Sequence, residues 1–179
     1  MERIYFTEEQ RMNILWVKIL MGVIWIGLLV FFGIAFYTQF YLGKPFGDKP
    51  VSNLGMAAIF LVVALQLAGG TWLMYSFRLI TEVRDEGLFY RYPPLLSRFK
   101  KIAPGEIGEY AIRRYRPLRE YGGWGIKTGS RKYGTAYNAY GNTGLQLTLS
   151  NGKKILIGTQ RPDALKKAMD RMMARSNET

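Results

Sequence analysis

The residues best suited to chemistry form a cluster of arginines that leads into a group of glycines. Residues 113–127, RRYRPLREYGGWGIK, contain four arginines within seven positions, followed by Gly-Gly-Trp-Gly. Guanidinium groups bind carboxylates and phosphates, so this spacing suits an acidic protein partner or lipid headgroups. The candidate contact residues are the basic side chains of this stretch and of two later segments: Arg113, Arg114, Arg116, Arg119, Lys127, Arg131, Lys132 and Arg161.

These arginines allow two interpretations. In an extended strand Arg114 and Arg116 share one face and Arg113 lies on the other, so they form one patch only if the chain turns after them. One or two of them could instead pair with Glu109 and Glu120 while the rest are solvated. Surface ion pairs contribute only about 0–1 kcal/mol, so pairing alone does not require four arginines. We therefore expect a contact surface.

Side chains that could carry out catalysis are scarce. The chain contains no histidine and no cysteine, which removes imidazole bases, thiolate nucleophiles, disulfides and the commonest zinc and haem ligands. The carboxylates that follow residue 78 lack the spacing of an acid–base pair, and GGWGIKTG lacks the spacing of a phosphate-binding loop. We expect no catalytic, metal or cofactor site, and hence no enzyme.

Nucleic-acid binding is a further possibility for so basic a chain. The net charge is +12 and there are 12 tyrosines, and tyrosines beside basic groups can stack on bases. In a small barrel, however, tyrosines more simply fill the core and form cross-strand pairs. We therefore expect no nucleic-acid partner.

Two long apolar segments precede the arginines. Residues 19–43 contain no charged side chain, and neither do residues 50–77. Each run exceeds the ~20 residues that cross a bilayer, which predicts spans at about 17–40 and 54–77. A cleaved signal peptide does not fit the first run, because acidic residues precede it and no small-x-small cleavage pattern follows it. Residues 1–78 are thus predicted to form a transmembrane two-helix hairpin.

The details of the hairpin follow from its polar and small residues. TEEQ, residues 7–10, fits a capping box, which predicts a first helix from about Glu8 to Tyr41. In the second helix the amide of Gln66 lies at membrane depth, where polar groups usually face protein. Small neighbours allow close packing against the first helix or, as an alternative, against another subunit. The predicted packing residues are Gln66, Ala64, Ala68, Gly69 and Gly70.

The distribution of charge predicts the orientation. Twenty of the 25 lysines and arginines follow residue 77, whereas the loop between the spans contains two. Positive charge concentrates on the cytoplasmic side, so both termini are expected there. A basic domain on that side is also attracted to an anionic inner leaflet.

The remaining residues, 79–179, are predicted to form a small β domain. Alternating apolar residues indicate about seven short antiparallel strands, with tight turns at residues 85–87 and at Asn151-Gly152. The chain ends in an amphipathic helix whose apolar stripe is Leu165, Ala168, Met169 and Met172. The predicted fold is a half-open antiparallel barrel whose open end is capped by this C-terminal helix.

Several of these segments also resemble a known family. EVRDEGLFYRY, EIGEYAIRRYRPLREYGGWGIK and AYNAYGNTGLQLTLSNGKKILIGTQRPDAL, after a two-helix hairpin, are similar to bacterial membrane-anchored proteins with a pleckstrin-homology-like domain. The resemblance covers nearly the whole chain. It implies a seven-stranded, half-open barrel closed by a C-terminal helix, but a fold does not carry an activity with it. Eukaryotic relatives bind phosphoinositides through a basic loop between their first strands, whereas here that loop contains Asp85 and Glu86.

Together these patterns predict a non-enzymatic protein of the bacterial inner membrane. Its basic pleckstrin-homology-like domain would lie at the cytoplasmic face as an accessory or scaffold subunit of a larger membrane protein complex. The alternative is an anionic-lipid sensor without a fixed protein partner. The expected partners are therefore membrane lipids and other membrane protein subunits.

Overall fold

The structure is a computed structural model that describes residues 3–130 and 132–176. It contains two compact units. The helical hairpin is Ile14–Tyr75, and the sheet domain consists of the described residues up to Asn13 and from Ser76 onward. The sheet domain is thus interrupted in sequence by the hairpin. Residues 3–13 belong to the sheet domain, so the two units differ from the predicted division of the chain at residue 78.

The helical hairpin contains two long apolar helices. Helix α1, Leu15–Phe36, continues into a π-helical turn, Tyr37–Tyr41, and helix α2 is Asn53–Ser76. Both are long and apolar enough to cross a membrane, with mean hydropathies of 2.7 and 1.9. Phe60 of α2 packs against aromatic rings of α1, and Trp25 Nε1 donates a hydrogen bond to Thr71 Oγ1 at 3.2 Å. The predicted pair of long apolar helices is confirmed.

The segment before α1 is a strand, so the prediction of a helix from Glu8 was wrong. Strand β1, Ile4–Arg11, pairs antiparallel with strand β2, Arg78–Arg84. The predicted capping residues Thr7 and Gln10 lie inside this strand. Local sequence favoured a helix start, but the pairing of β1 with β2 satisfies the same backbone groups in a sheet. TEEQ is therefore no capping box.

The first sheet has the order β1-β2-β3-β4, with β3 at Gly87–Tyr92 and β4 at Leu96–Ile102. Arg84 pairs with Gly87, which confirms the predicted tight turn between β2 and β3. Gly87 has a φ of 148°, and a Cβ at this position would lie 2.4 Å from the Ile102 carbonyl oxygen. Only glycine fits so close an approach of β3 to the end of β4.

The second sheet has the order β5-β8-β9-β7-β6. A 3₁₀ turn, Pro104–Glu106, precedes β5, and a single helical turn, α3, follows it. Strands β7 and β9 are parallel, whereas the other pairs are antiparallel. The bounds are β5 Ile107–Arg114, α3 Pro117–Tyr121, β6 Gly125–Thr128, β7 Thr135–Asn138, β8 Thr143–Leu149 and β9 Lys154–Gly158.

The described residues thus form nine strands, whereas the sequence predicted about seven. The additional strands are β1 and β7. The turn between β8 and β9 also differs from the prediction: Leu149 N–H donates to the Lys153 carbonyl at 2.8 Å, which leaves three residues in the loop instead of two. Gly152 has a φ of 80° there, as a three-residue hairpin loop requires.

Helix α4, Pro162–Ser176, covers the sheets and completes the α+β fold. It contacts β1 and β2 of the first sheet and β5 and β8 of the second. Its predicted apolar stripe is buried in the main hydrophobic core, which confirms the predicted capping helix: Leu165, Ala168, Met169 and Met172.

Candidate interaction surface

The arginine-rich stretch folds into a strand followed by a tight corner. Pro117 occupies the first turn of α3, a position where its missing N–H group costs no hydrogen bond. Glu120 Oε1 accepts a hydrogen bond from Arg116 N–H at 2.8 Å, and the N–H groups of Gly122 and Gly123 donate to carbonyls of α3 at 3.0 Å. Gly122 has a φ of 73°, a conformation that ends a helix readily. The glycines therefore turn the chain sharply from α3 into β6.

Arg113 is a structural residue of this corner. Its guanidinium donates to Glu120 Oε2 at 2.8 Å, to Tyr121 OH at 3.1 Å and, through Nε, to Gln146 Oε1 at 3.0 Å. The side chain of Arg113 is 28% exposed and that of Glu120 13% exposed. An arginine whose donors are engaged in this way holds α3 against β5 and β8. The interpretation that one arginine pairs with Glu120 is therefore correct for Arg113.

A buried asparagine connects the corner to the rest of the domain. Asn138 Nδ2 donates to Tyr115 OH at 3.0 Å, and Asn138 Oδ1 accepts from Gly125 N–H at 2.9 Å. Its backbone carbonyl accepts from Tyr92 OH at 3.2 Å. Burial raises the pKa of Tyr115 to about 12 and that of Tyr92 to about 12. Asn138, in β7, thereby joins β3, β6 and the residue that follows β5 through one side chain and one carbonyl group.

The other predicted contact residues lie at separate places. Arg113 and Lys132 line a groove of about 280 Å³ together with Lys154. Arg114 is exposed on β5. Arg161 stacks on Phe6 of β1, and its Nη1 donates to a β1 carbonyl at 3.3 Å. Arg131 lies outside the described residues.

Three of the predicted residues do come together around Trp124. Arg116 and Arg119 line a groove of about 270 Å³ that Trp124 borders, and Lys127 lines a second groove of about 210 Å³ that Trp124 also borders. Trp124 Nε1 donates to the Gly141 carbonyl at 3.0 Å, which fixes the ring over the corner. We call this the Trp124 surface and define it by three apolar and three basic residues: Leu95, Leu118, Trp124, Arg116, Arg119 and Lys127.

Comparison with known families gives one match to this chain. The model described as "Family of unknown function (DUF6141)" matches residues 3–176, nearly the whole sequence. The chain belongs to the DUF6141 family. Comparison with curated proteins and with solved structures gives no match.

In this DUF6141 chain the sequence did not predict the contact between β1 and residues 158–162, which we call the GTQRP segment. Glu8 is 7% exposed and Gln10 is 4% exposed. The Glu8 carboxylate accepts from Thr159 Oγ1 at 2.6 Å and from Gln160 N–H at 2.8 Å, and Gln10 Nε2 donates to the Gly158 carbonyl at 2.6 Å. In β1 the buried residues alternate with exposed ones, as in any half-buried strand. Two of the buried residues, Glu8 and Gln10, are polar, so the sequence shows no alternation of apolar and polar residues there.

The outer face of the first sheet carries a second cationic surface that the sequence did not reveal. Arg84 stacks on Phe89 with 4.7 Å between its Cζ atom and the ring centroid, and Arg91 stacks on Phe99 at 4.6 Å. Lys101 lies 5.6 Å from the Phe89 centroid and pairs with Glu86 at 2.9 Å. Cation–π contacts of this kind hold the guanidinium groups against the sheet, although the buried Arg91 Nε has no hydrogen-bond partner within the described residues.

The loop between β2 and β3 is engaged within the domain. The Asp85 carboxylate accepts a hydrogen bond from Tyr5 OH and one from Arg3 N–H, and it pairs with Arg175 at 3.2 Å. The hydrogen bond from Tyr5 lowers the pKa of Asp85. This acidic turn therefore links β1 to the end of α4. Within the described residues no group of three or more metal-ligating side chains is found.

The predicted packing residues of α2 divide between two faces. Ala64 is half-buried, whereas Gln66, Ala68, Gly69 and Gly70 are exposed. A Cβ added at Gly69 or at Gly70 would meet no atom within 4 Å. Gln66 makes no hydrogen bond within the described part of the chain. Apart from Ala64, these residues do not pack against α1.

Proposed function

We propose that this protein is a non-enzymatic integral membrane protein that presents its sheet domain at the cytoplasmic face of a bacterial inner membrane. In this proposal it is an accessory or scaffold subunit of a larger membrane protein complex, joined to a partner through α2. The observation that carries the proposal is the exposed amide of Gln66 beside Gly69 and Gly70 in the middle of an apolar helix.

Gln66 supports a protein partner because, in a spanning helix, its amide would be surrounded by lipid hydrocarbon. Hydrocarbon offers no hydrogen-bond partner to an amide, so polar side chains at membrane depth usually face protein. Glycines one turn away let a neighbouring helix approach closely, which shortens the distance to the amide. Since α1 covers the opposite side of α2 through Phe60 and Thr71, the face of Gln66 is available to a helix of another subunit.

The pairing of β1 with β2 supports the proposed topology. Arg11 and Arg78 are partners in adjacent strands, and α1 begins at Leu15 while α2 ends at Ser76. Both ends of the hairpin are therefore covalently attached to neighbouring strands of one sheet. If α1 and α2 span the membrane, both attachments lie on the same side as the sheet domain. The excess of Lys and Arg after residue 77 favours the cytoplasmic side.

We further infer that the sheet domain is pleckstrin-homology-like. A four-stranded sheet, a second sheet and a C-terminal helix that contacts both sheets support this assignment. Strand β1 precedes the hairpin in sequence, so this domain is formed by two separate segments of the chain instead of one continuous segment.

Mild detergent extraction from the native membrane, followed by native mass measurement, tests the proposal. We expect the wild-type chain in an assembly larger than the monomer. An interhelical hydrogen bond contributes about 0.6–2 kcal/mol, so Gln66→Leu should weaken this assembly roughly 3- to 30-fold. The matched control is Leu61→Ile, an exposed apolar change on another side of α2. A wild-type monomer without a partner, or equal effects of both substitutions, would contradict the proposal.

A further inference from the structure

The sheet domain has two ends that differ in their chemistry. At the hairpin end, Met12 and Phe77 line the groove that Trp124 and Leu95 also border. At the far end lie the β2–β3 turn, the β8–β9 turn and the last turn of α4, where Arg175 pairs with Asp85. Strand β2 separates the two ends by about 20 Å, the length of its seven residues.

We propose that the Trp124 surface, at the hairpin end, docks on the anionic headgroups of the membrane in which the hairpin is embedded. This inference rests on the proposal that α1 and α2 span that membrane. The occupant is a lipid surface, and the binding combines apolar insertion with attraction between opposite charges.

Apolar exposure is the first argument. Leu95 is 68% exposed and Leu118 is 63% exposed, more than any other large apolar side chain of the described sheet domain. Both flank Trp124. Tryptophan is enriched where membranes meet water, because its ring is apolar and its N–H group polar. Here the indole N–H is already satisfied by the Gly141 carbonyl, so the ring can enter the interface without losing a hydrogen bond.

Unneutralised charge is the second argument. Arg116, Arg119 and Lys127 are exposed and make no side-chain ion pair or cation–π contact within the described residues. The nearest acidic side chain of the corner, Glu120, is engaged by Arg113 at 2.8 Å. These three cations are therefore free to attract anionic lipid, an effect that extends over about one Debye length, ~8 Å in physiological salt.

Covalent proximity is the third argument, and it selects lipid over other anionic partners. Met12 is three residues from Leu15, where α1 begins, and Phe77 directly follows Ser76, where α2 ends. Three extended residues span at most about 11 Å. The Trp124 surface shares a groove with these attachment points and thus cannot move far from the headgroups once the hairpin is inserted. Tethering at two points raises the effective concentration of the bilayer at this surface.

The absence of cysteine from the sequence allows a site-specific test on the full chain. Single-cysteine variants Leu118→Cys and Ala174→Cys would be reconstituted into vesicles of phosphatidylcholine alone and of phosphatidylcholine with phosphatidylglycerol. Ala174 is exposed beside Arg175 at the far end and serves as the control position. The readout is the rate at which a water-soluble maleimide modifies each thiol on the outer surface of the vesicles.

We expect phosphatidylglycerol to slow modification of Leu118→Cys at least about fivefold relative to Ala174→Cys, and high salt to remove the difference. Replacing Arg116, Arg119 and Lys127 by glutamine should abolish this protection. The matched triple replacement of Lys153, Lys167 and Arg171 by glutamine changes the net charge equally on other exposed residues and should preserve it.

Three outcomes would overturn the docking proposal. They are equal rates in both lipids, equal effects of the two triple replacements, and protection of Leu118→Cys that occurs only in native membranes, which would indicate a protein partner. Alkaline carbonate washing separates this failure from failure of the proposed function. A chain that resists extraction but shows no lipid-dependent protection contradicts docking alone, whereas a chain released by carbonate contradicts the membrane-spanning hairpin itself.

Discussion

The hairpin end and the far end of the sheet domain both carry exposed basic side chains, but these are paired with carboxylates at the far end and unpaired on the Trp124 surface of the hairpin end within the described residues. At the far end, charges neutralise one another: Asp85 pairs with Arg175 and Glu86 with Lys101. At the hairpin end, the polar interactions are buried around Asn138, while the cations of the Trp124 surface remain unpaired within the described residues. An end that satisfies its own charges needs no partner, whereas exposed cations beside exposed leucines are suited to one.

The largest expected effect is the loss of the asparagine that stabilises the hairpin end. Asn138→Ala leaves the Gly125 N–H group and the Tyr115 hydroxyl without their partners, at about 1–3 kcal/mol for each buried group, so we expect a loss of about 4 kcal/mol. The same change at the far end, Asn151→Ala, removes one local turn contact and should cost less than about 1 kcal/mol. Pulse proteolysis across a urea series, on the full chain in detergent, measures both. Similar losses would show that the two ends do not differ in this way.

The second effect concerns the attachment of β1 to the GTQRP segment. Glu8→Ala removes the acceptor for Thr159 and Gln160 and should cost about 2 kcal/mol, because hydrogen bonds to a carboxylate are stronger than neutral ones. Among the described residues its neighbour Glu9 forms only exposed ion pairs, with Arg11 and Arg78, so Glu9→Ala should cost less than about 1 kcal/mol. Hydrogen exchange of the β1 amides in the full chain measures how much stability each substitution removes. Greater exchange in Glu9→Ala than in Glu8→Ala would refute this assignment.

Alkaline pH should weaken the hairpin end. Burial raises the pKa of Tyr92 and of Tyr115 to about 12, so the folded state favours the neutral phenols. Their contribution to stability is complete below the unfolded pKa of about 10 and disappears as the pH rises through about 12. In urea titrations over this range, Tyr92→Phe should lower the slope of stability against pH, and an unchanged slope would contradict this role.

Acid pH should affect the far end, and this is the smallest effect because the side chain of Asp85 is only partly buried, at 23% exposed. The hydrogen bond from Tyr5 lowers the pKa of Asp85, so its contribution is complete above the unfolded pKa of about 4 and is lost as the pH falls through the lower folded value. Asp85→Asn should reduce the acid-dependent part of hydrogen exchange in the β2–β3 turn, while Asp163→Asn should not. An unchanged acid dependence in Asp85→Asn would contradict this role.

Periodicity in the sequence was sufficient for the elements whose inward residues are apolar. The strands beside the β2–β3 turn and the buried stripe of α4 were predicted on that basis, whereas the two apolar helices were predicted from the length of their uncharged runs. Strand β1 was not, because its inward positions include Glu8 and Gln10, and the distant Thr159 that makes their burial favourable is not visible in a local pattern. Strand β7 has four residues and a parallel partner in β9, so no short turn marked its pairing.

The candidate site was predicted only in part for a similar reason. Alternation along an extended strand placed Arg113 and Arg114 on opposite faces, but it does not apply to Arg116, which lies beyond the end of β5. It could not show that Glu120 would engage Arg113, nor that Leu95 of a different sheet would lie beside Trp124. Such contacts arise from the tertiary fold, and one sequence without its structure does not contain a local signal for them.

The proposed topology places the hairpin across the membrane and the sheet domain on the cytoplasmic side. Asp48→Cys, in the loop between α1 and α2, and Ala174→Cys, in α4, test it with a membrane-impermeant maleimide on intact spheroplasts. The account predicts that Asp48→Cys is modified at once and that Ala174→Cys is modified only after lysis. Modification of both thiols in intact spheroplasts, or of Ala174→Cys alone, would contradict it.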